Sequence, residues 1–130
     1  MNLLLDTHVA LWAIADSPKL NATARTLIAD KTNTVSISIA SLWEIAIKHS
    51  LQRKGIEMPL SAADALREFG AAGYALLAVE PAHVCALESL PALHADPFDR
   101  MLVAQASSEP LRLLTHDPQV AAYSDTTIQV

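Results

Sequence analysis

The chain has 130 residues, a length that suits one domain with a single core, here expected to span residues 1–130. A hydrophobic content of 52% and a mean hydropathy of +0.27 exclude a disordered tail. The formal net charge of −5 counts against a nucleic-acid partner, although two divalent cations would bring it to about −1.

Two further features of the sequence bear on where the protein is found. No apolar run reaches the roughly 20 residues that span a bilayer, and the N-terminus has no basic stretch typical of a signal peptide. The single cysteine, Cys85, excludes an intrachain disulfide and is predicted to be a small core residue among apolar neighbours. A cytoplasmic location with no membrane contact is therefore expected.

Predicted strands and helices alternate along the chain. Short apolar or β-branched runs indicate strands, whereas apolar positions at helical spacing and turn signals indicate helices and their ends. The predicted elements are strand 3–5, helix 8–15, a helix capped by residue 21, strand 34–38, helix 41–51, helix 61–70, strand 75–79, helix 81–88, a helix from residue 97, strand 111–115, a short helix after residue 117 and strand 127–130.

Several acidic residues lie where helices are predicted to begin. Ser41 and Glu44 fit a capping box that opens the third helix. Asp96 and Asp117 each precede a proline, the arrangement of an N-cap followed by the first helical residue. Each of these acids therefore has an ordinary structural explanation when it is considered singly.

The alternation of apolar strands with helices predicts an α/β fold. We expect a three-layer α/β/α sandwich with a mainly parallel central sheet of four to five strands. Ligands bind beyond the carboxyl ends of the strands in such sheets. Asp6 and Asp117 lie just past the ends of two predicted strands, and Glu44 lies early in the helix after another strand, so these carboxylates could converge.

Four acids are the candidate catalytic and metal-binding residues. They are Asp6, Glu44, Asp99 and Asp117, called the four acids below. Like charges gathered at one edge would repel and raise one another's pKa, and a divalent cation would remove that conflict. Mg²⁺ and Mn²⁺ prefer oxygen ligands, whereas the sequence has no cysteine pair or paired histidine spacing of a zinc site.

A carboxylate-bound Mg²⁺ is suited to phosphodiester hydrolysis, because the metal lowers the pKa of a bound water and offsets phosphate charge. Basic residues must then hold the nucleic-acid backbone. Four are candidates for this role, although each is also an ordinary solvated charge: Lys48, Arg53, Lys54 and Arg100. Lys48 could instead pair with Glu44, four residues before it.

Four segments together resemble the motifs of PIN-domain ribonucleases, over essentially the whole chain. The closest likeness is to the VapC-type toxins of bacterial type II toxin–antitoxin pairs. The segments are Leu4-Leu5-Asp6-Thr7-His8, Ser41-Leu42-Trp43-Glu44-Ile45-Ala46-Ile47-Lys48, His94-Ala95-Asp96-Pro97-Phe98-Asp99-Arg100 and Thr115-His116-Asp117.

This resemblance implies an α/β/α sandwich in which the four acids bind Mg²⁺ or Mn²⁺. It implies that Thr7 and Thr115 support the ligands, and that Asp99 is the ligand while Asp96 caps the helix. The activity implied is endonucleolytic cleavage of RNA, often tRNA or ribosomal RNA, which arrests translation. The partners implied are a cognate antitoxin peptide and a second copy of the chain in a homodimer.

Three alternatives remain open at this point. The chain could be an RNA-processing or flap nuclease, although it is short for their additional elements. It could be an aspartate-nucleophile phosphatase, but His8 stands where the second aspartate is expected. It could also be a catalytically silent PIN-like module that only binds proteins, against which the presence of all four acids counts.

Overall fold

The computed structural model describes residues 1–52, 55 and 58–130. Strands and helices alternate along these residues, as the sequence predicts. The elements are β1 Asn2–Leu5, α1 Thr7–Ala15, α2 Ala22–Ala29, β2 Thr34–Ser38, α3 Ile39–Ser50, α4 Ala62–Ala71, β3 Ala75–Leu77, α5 Pro81–Ala86, α6 Pro97–Ser108, β4 Arg112–Thr115, α7 Pro118–Ala121 and β5 Ile128–Gln129.

The strands form one parallel sheet in the order β3-β2-β1-β4-β5, with β1 at its centre. Leu4 of β1 lies opposite Ser36 of β2 on one side and Leu113 of β4 on the other. Helices lie in the crossovers between successive strands, as parallel pairing requires. The five strands agree with the four to five expected.

Both faces of the sheet are covered, because alternate residues of β1 point to opposite sides. Leu3 and Leu5 are fully buried in a core with side chains of α1 to α4, including Phe69. Leu4 is fully buried in a second core with Leu102 of α6 and Val120 of α7. The α/β/α sandwich is therefore confirmed.

The capping box predicted at Ser41 and Glu44 is wrong. Helix α3 begins at Ile39, and its N-cap is Ser38, whose Oγ accepts a 3.0 Å hydrogen bond from the backbone N–H of Ala40. Strand β2 passes into the helix without a loop, so the last strand residue is also the cap. Ser41 is consequently a buried interior residue of the helix.

The region around β3 and α5 also differs from the prediction. Strand β3 ends at Leu77 rather than residue 79, and α5 gives way after Ala86 to a 3₁₀ turn at Leu87–Ser89. Cys85 is exposed rather than buried, and His83 is the buried side chain of this short helix. Nδ1 of His83 accepts a 2.9 Å hydrogen bond from the backbone N–H of Glu80, a contact that the pattern of apolar residues does not reveal. None of the described helices is both long and apolar enough to cross a bilayer.

Candidate active site

Asp6 lies between the end of β1 and the start of α1, and it is 5% exposed. Its Oδ1 accepts a 2.8 Å hydrogen bond from the backbone N–H of Val9, which caps α1. Its Oδ2 accepts a 2.6 Å bond from Thr115 Oγ1 and a longer one, 3.3 Å, from the backbone N–H of His116. Burial raises the pKa of Asp6, although these hydrogen bonds act in the opposite direction.

Glu44 is 4% exposed in the middle of α3, and both of its carboxylate oxygens have partners. Oε1 accepts a 2.7 Å hydrogen bond from Thr7 Oγ1, which also lies 3.0 Å from Ser41 Oγ. Oε2 pairs with Lys48 Nζ at 2.5 Å, one helical turn away. Thr7 follows Asp6 directly, so it connects Glu44 to the end of β1.

Asp99 lies in the first turn of α6, and its side chain is 22% exposed. Its Oδ2 is 2.8 Å from Nε2 of His94. Desolvation raises the pKa of Asp99 to about 6, and the hydrogen bond from His94 opposes that shift. The negative charges of Asp96, Asp6 and Glu44 also contribute to this raised pKa, which places these carboxylates within electrostatic reach of Asp99.

Asp117 follows β4 and is the N-cap of α7, with Oδ1 accepting a 2.8 Å bond from the backbone N–H of Gln119. Its Oδ2 lies 3.5 Å from the same His94 Nε2 that contacts Asp99. One ligand atom each from His94, Asp99 and Asp117 lies within 4.8 Å of the other two. These three residues form the tightest group of possible metal ligands among the described residues.

A cleft of about 640 Å³ opens at the carboxyl ends of β1 and β4. Three of the four acids line it, and Glu44 lies behind it, joined through Thr7. Asp6, Asp99 and Asp117 thus converge at this edge of the sheet, whereas Glu44 is linked to it only through Thr7. The residues that line the cleft are Asp6, His8, Trp12, Lys19, His94, Asp96, Asp99, His116, Asp117 and Pro118.

The donor set of this site suits a divalent cation. The raised pKa values of Asp6 and Asp99 show that ionising them inside the site is costly, and a bound cation would offset that cost. Carboxylate oxygens are the ligands that Mg²⁺ and Mn²⁺ prefer. His94 adds an imidazole nitrogen, which first-row transition metals accept more readily than Mg²⁺ does.

The cations proposed from the sequence to bind RNA are engaged elsewhere or lie outside the described residues. Lys48 pairs with Glu44, and the guanidinium of Arg100 donates to the carbonyl oxygens of Pro91 and Leu87 at 3.1 and 3.3 Å. Arg53 and Lys54 lie outside the described residues. An RNA contact by any of the four therefore stays a prediction.

The expectation that Asp96 caps α6 is confirmed. Its Oδ1 accepts hydrogen bonds from the backbone N–H groups of Phe98 and Asp99, at 2.9 and 3.1 Å. Sequence reasoning did not assign a role to His94, which precedes the helix in an irregular loop. Its only signal was its place in the segment that ends at Asp99 and Arg100, since loop residues carry no periodicity.

Comparison with known proteins supports the fold. The family model for the PIN domain matches residues 3–125. A VapBC2 structure from Rickettsia felis, solved with a DNA fragment from the promoter, superposes with a TM-score of 0.67 at 15% identity, over 100% of this chain and 98% of that one. DNA-bound VapBC from Salmonella typhimurium gives 0.67 at 16% identity, over 100% and 97%. FitAcB from Neisseria gonorrhoeae gives 0.59 at 16% identity, over 98% and 96%. A comparison of the sequence with curated proteins found no match.

Proposed function

The chain belongs to the PIN-domain family, and we propose that it is a metal-dependent endoribonuclease that acts as the toxin of a toxin–antitoxin pair. The observation that carries this proposal is the clustering of carboxylates at one sheet edge. Burial raises the pKa of Asp6, and burial together with neighbouring charges raises the pKa of Asp99. Such an arrangement is costly by itself and suits a divalent cation.

In this proposal the four acids hold Mg²⁺, for which Mn²⁺ substitutes. When bound, the metal supplies an activated water and offsets negative charge on the scissile phosphate. Thr115 orients Asp6 through its 2.6 Å hydrogen bond, and Thr7 orients Glu44 through its 2.7 Å bond. Groups that hold metal ligands in this way tune their geometry and basicity.

The proposed substrate is RNA, either tRNA or ribosomal RNA, whose cleavage inhibits translation. The four sequence motifs support this choice together with the neighbouring VapBC structures, which share the fold. The basic residues proposed to contact the RNA backbone are Lys48, Arg53, Lys54 and Arg100. For Lys48 this requires that its pairing with Glu44 is exchanged for a phosphate when the metal is in place.

The proposed partners are an antitoxin and a second copy of the chain. An apolar groove runs between α3 and α6 and includes Trp43, which is 63% exposed, and Phe98, which meets it edge-on at 5.1 Å. Exposed apolar surface of this kind supports a protein partner. Chromatography with light scattering, on the chain alone and after co-expression with the product of a short neighbouring gene, measures both associations.

The activity test compares the wild-type chain with Glu44→Gln, which keeps the size of the side chain and removes its charge. Induction of the wild type should arrest growth and the variant should not. The purified wild type should cleave RNA with Mn²⁺, and chelation should stop cleavage. If purified wild type leaves every RNA intact, the chain is a silent binding module. Cleavage without growth arrest would instead favour an RNA-processing nuclease.

A further inference from the structure

The cleft has a wall of aromatic rings that the proposed metal chemistry does not use. His8 and Trp12 stack with ring centroids 6.0 Å apart and an interplanar angle of 28°. His116 meets Trp12 edge-on, with centroids 5.2 Å apart and an angle of 74°. We call these three residues the aromatic wall. All three line the same cleft as Asp6 and Asp99.

The aromatic wall is held by the same backbone that positions the acids. His8 and Trp12 are one helical turn apart on α1, which starts immediately after Asp6. The backbone N–H of His116 donates to Asp6 Oδ2, and its ring Nδ1 lies 2.8 Å from the carbonyl oxygen of Val130. A carbonyl only accepts hydrogen bonds, so Nδ1 carries a proton in this contact, which restrains the ring.

The charge of the cleft does not favour a polynucleotide. Four aspartates line it, and Lys19 is the one lysine or arginine among its described lining residues. Phosphate contacts with basic residues usually dominate nucleic-acid affinity, and the described residues of this cleft include a single lysine to make them. Aromatic rings bind nucleobases by stacking, which needs no cation and works for every base.

We propose that the aromatic wall binds an unpaired nucleobase next to the phosphodiester that is cleaved. This inference rests on the proposed nuclease function and deepens it by assigning a base-binding subsite to His8, Trp12 and His116. A base inside a duplex has no free face to stack on a side chain, whereas bases in loops and bulges do. The base that the aromatic wall binds must therefore be unpaired.

The first experiment measures stacking directly and does not depend on cleavage. The sequence contains two tryptophans, so Trp43→Phe leaves Trp12 as the sole indole. A single-stranded 2′-O-methyl oligonucleotide should quench the fluorescence of Trp12, and the same backbone made of abasic residues should not. Binding without quenching, or no binding, overturns the proposal.

The second experiment uses an RNA that the wild type cleaves with Mn²⁺ and replaces the bases beside the cleaved bond with abasic residues. This should raise KM on the order of 10-fold for the wild type and have little effect on Trp12→Ala. Ile14→Ala is the matched control, because it shortens an apolar side chain of α1 outside the cleft and should respond like the wild type.

If abasic substitution raises KM equally for the wild type and Trp12→Ala, the proposal that the aromatic wall binds a base is overturned. Trp12 packs partly against the core, so melting of both variants accompanies the assay. If Trp12→Ala does not fold, the fluorescence experiment decides. Failure of the proposed nuclease function is a separate outcome, in which the wild type cleaves no RNA, whether or not the oligonucleotide quenches the fluorescence of Trp12.

Discussion

Thr115 Oγ1 donates a 2.6 Å hydrogen bond to Asp6 Oδ2, joining two buried side chains that are 109 positions apart in the sequence. The two residues lie at the carboxyl ends of the neighbouring strands β1 and β4. The same hydroxyl oxygen accepts a 3.1 Å bond from the backbone N–H of Asp117. Thr115 thus connects the most buried acid of the cleft to another of the four acids.

Replacing Thr115 with valine should weaken metal binding while the chain still folds. Asp6 would lose its shortest hydrogen bond, and we expect a stability loss of about 1–3 kcal/mol. The affinity for Mn²⁺ should fall about 10- to 100-fold, the usual effect of losing a group that orients a metal ligand. Calorimetric titration with Mn²⁺ measures this, and Thr115→Ser, which keeps the hydroxyl, is the control. Equal affinities for valine and serine variants would show that the hydroxyl does not matter.

Asp99→Asn should raise the melting temperature of the metal-free protein at neutral pH. The ionised form of Asp99 is disfavoured in the folded state, since its pKa is raised to about 6, and asparagine removes that charge. In the wild type, Mn²⁺ should raise the melting temperature by binding the folded state, and this rise should be lost in the variant. The control is Asp96→Asn, which keeps an oxygen for the helix cap and should keep the Mn²⁺ effect. If Asp96→Asn is the variant that loses it, the roles of the two aspartates are reversed.

The stability of the metal-free protein should fall as the pH rises from 3.8 to about 6. In this window Asp99 holds a proton in the folded state more often than in the unfolded state, so the free energy of unfolding decreases with pH. The raised pKa of Asp6 acts in the same direction. Denaturant unfolding in the presence of a chelator measures the slope, and Asp99→Asn should flatten it.

The stabilisation of the protein by Mn²⁺ should instead increase with pH, because protons and metal compete for the same carboxylates. The melting-temperature rise caused by Mn²⁺ should be small below about pH 6 and grow above it, where Asp99 is ionised. A rise that is constant across this range would mean that Asp99 is not a ligand.

Asp96→Ala should destabilise the fold and leave most metal-dependent cleavage. The Asp96 side chain accepts hydrogen bonds from two backbone N–H groups at the start of α6. Losing such a cap costs about 0.5–2 kcal/mol. Thermal melting and RNA cleavage with Mn²⁺ are measured on the same preparation. A variant that melts like the wild type but has lost cleavage would contradict the capping role.

The fold was predictable because its cores follow simple patterns. The apolar run at Leu3–Leu5 predicts a strand buried on both faces, and both faces are indeed covered. Asp96 and Asp117 were identifiable as caps by the prolines that follow them. In contrast, the sequence alone does not show whether Ser38 or Ser41 caps α3. Ser38 is the cap because β2 connects to α3 without a loop.

The position of His94 could not be predicted, because a loop side chain is placed by tertiary packing alone. The backbone N–H of His94 donates to the hydroxyl of Tyr123 at 3.0 Å, and the same hydroxyl accepts from Arg100 at 3.1 Å. These contacts bring together a loop, α6 and the segment after α7. Local sequence patterns contain no information on such long-range contacts, whereas each of the four acids lies within or just beside a predictable helix or strand.

The central place of β1 in the sheet has a consequence for synthesis of the protein. Asp6 is among the first residues made, but its partner Thr115 and the neighbouring Asp117 come from the other side of the sheet, after β4. A nascent chain that has not yet released β4 can form neither the pairing beside β1 nor the cleft. If the chain is the nuclease we propose, its cleft cannot assemble until β4 and Asp117 have left the ribosome.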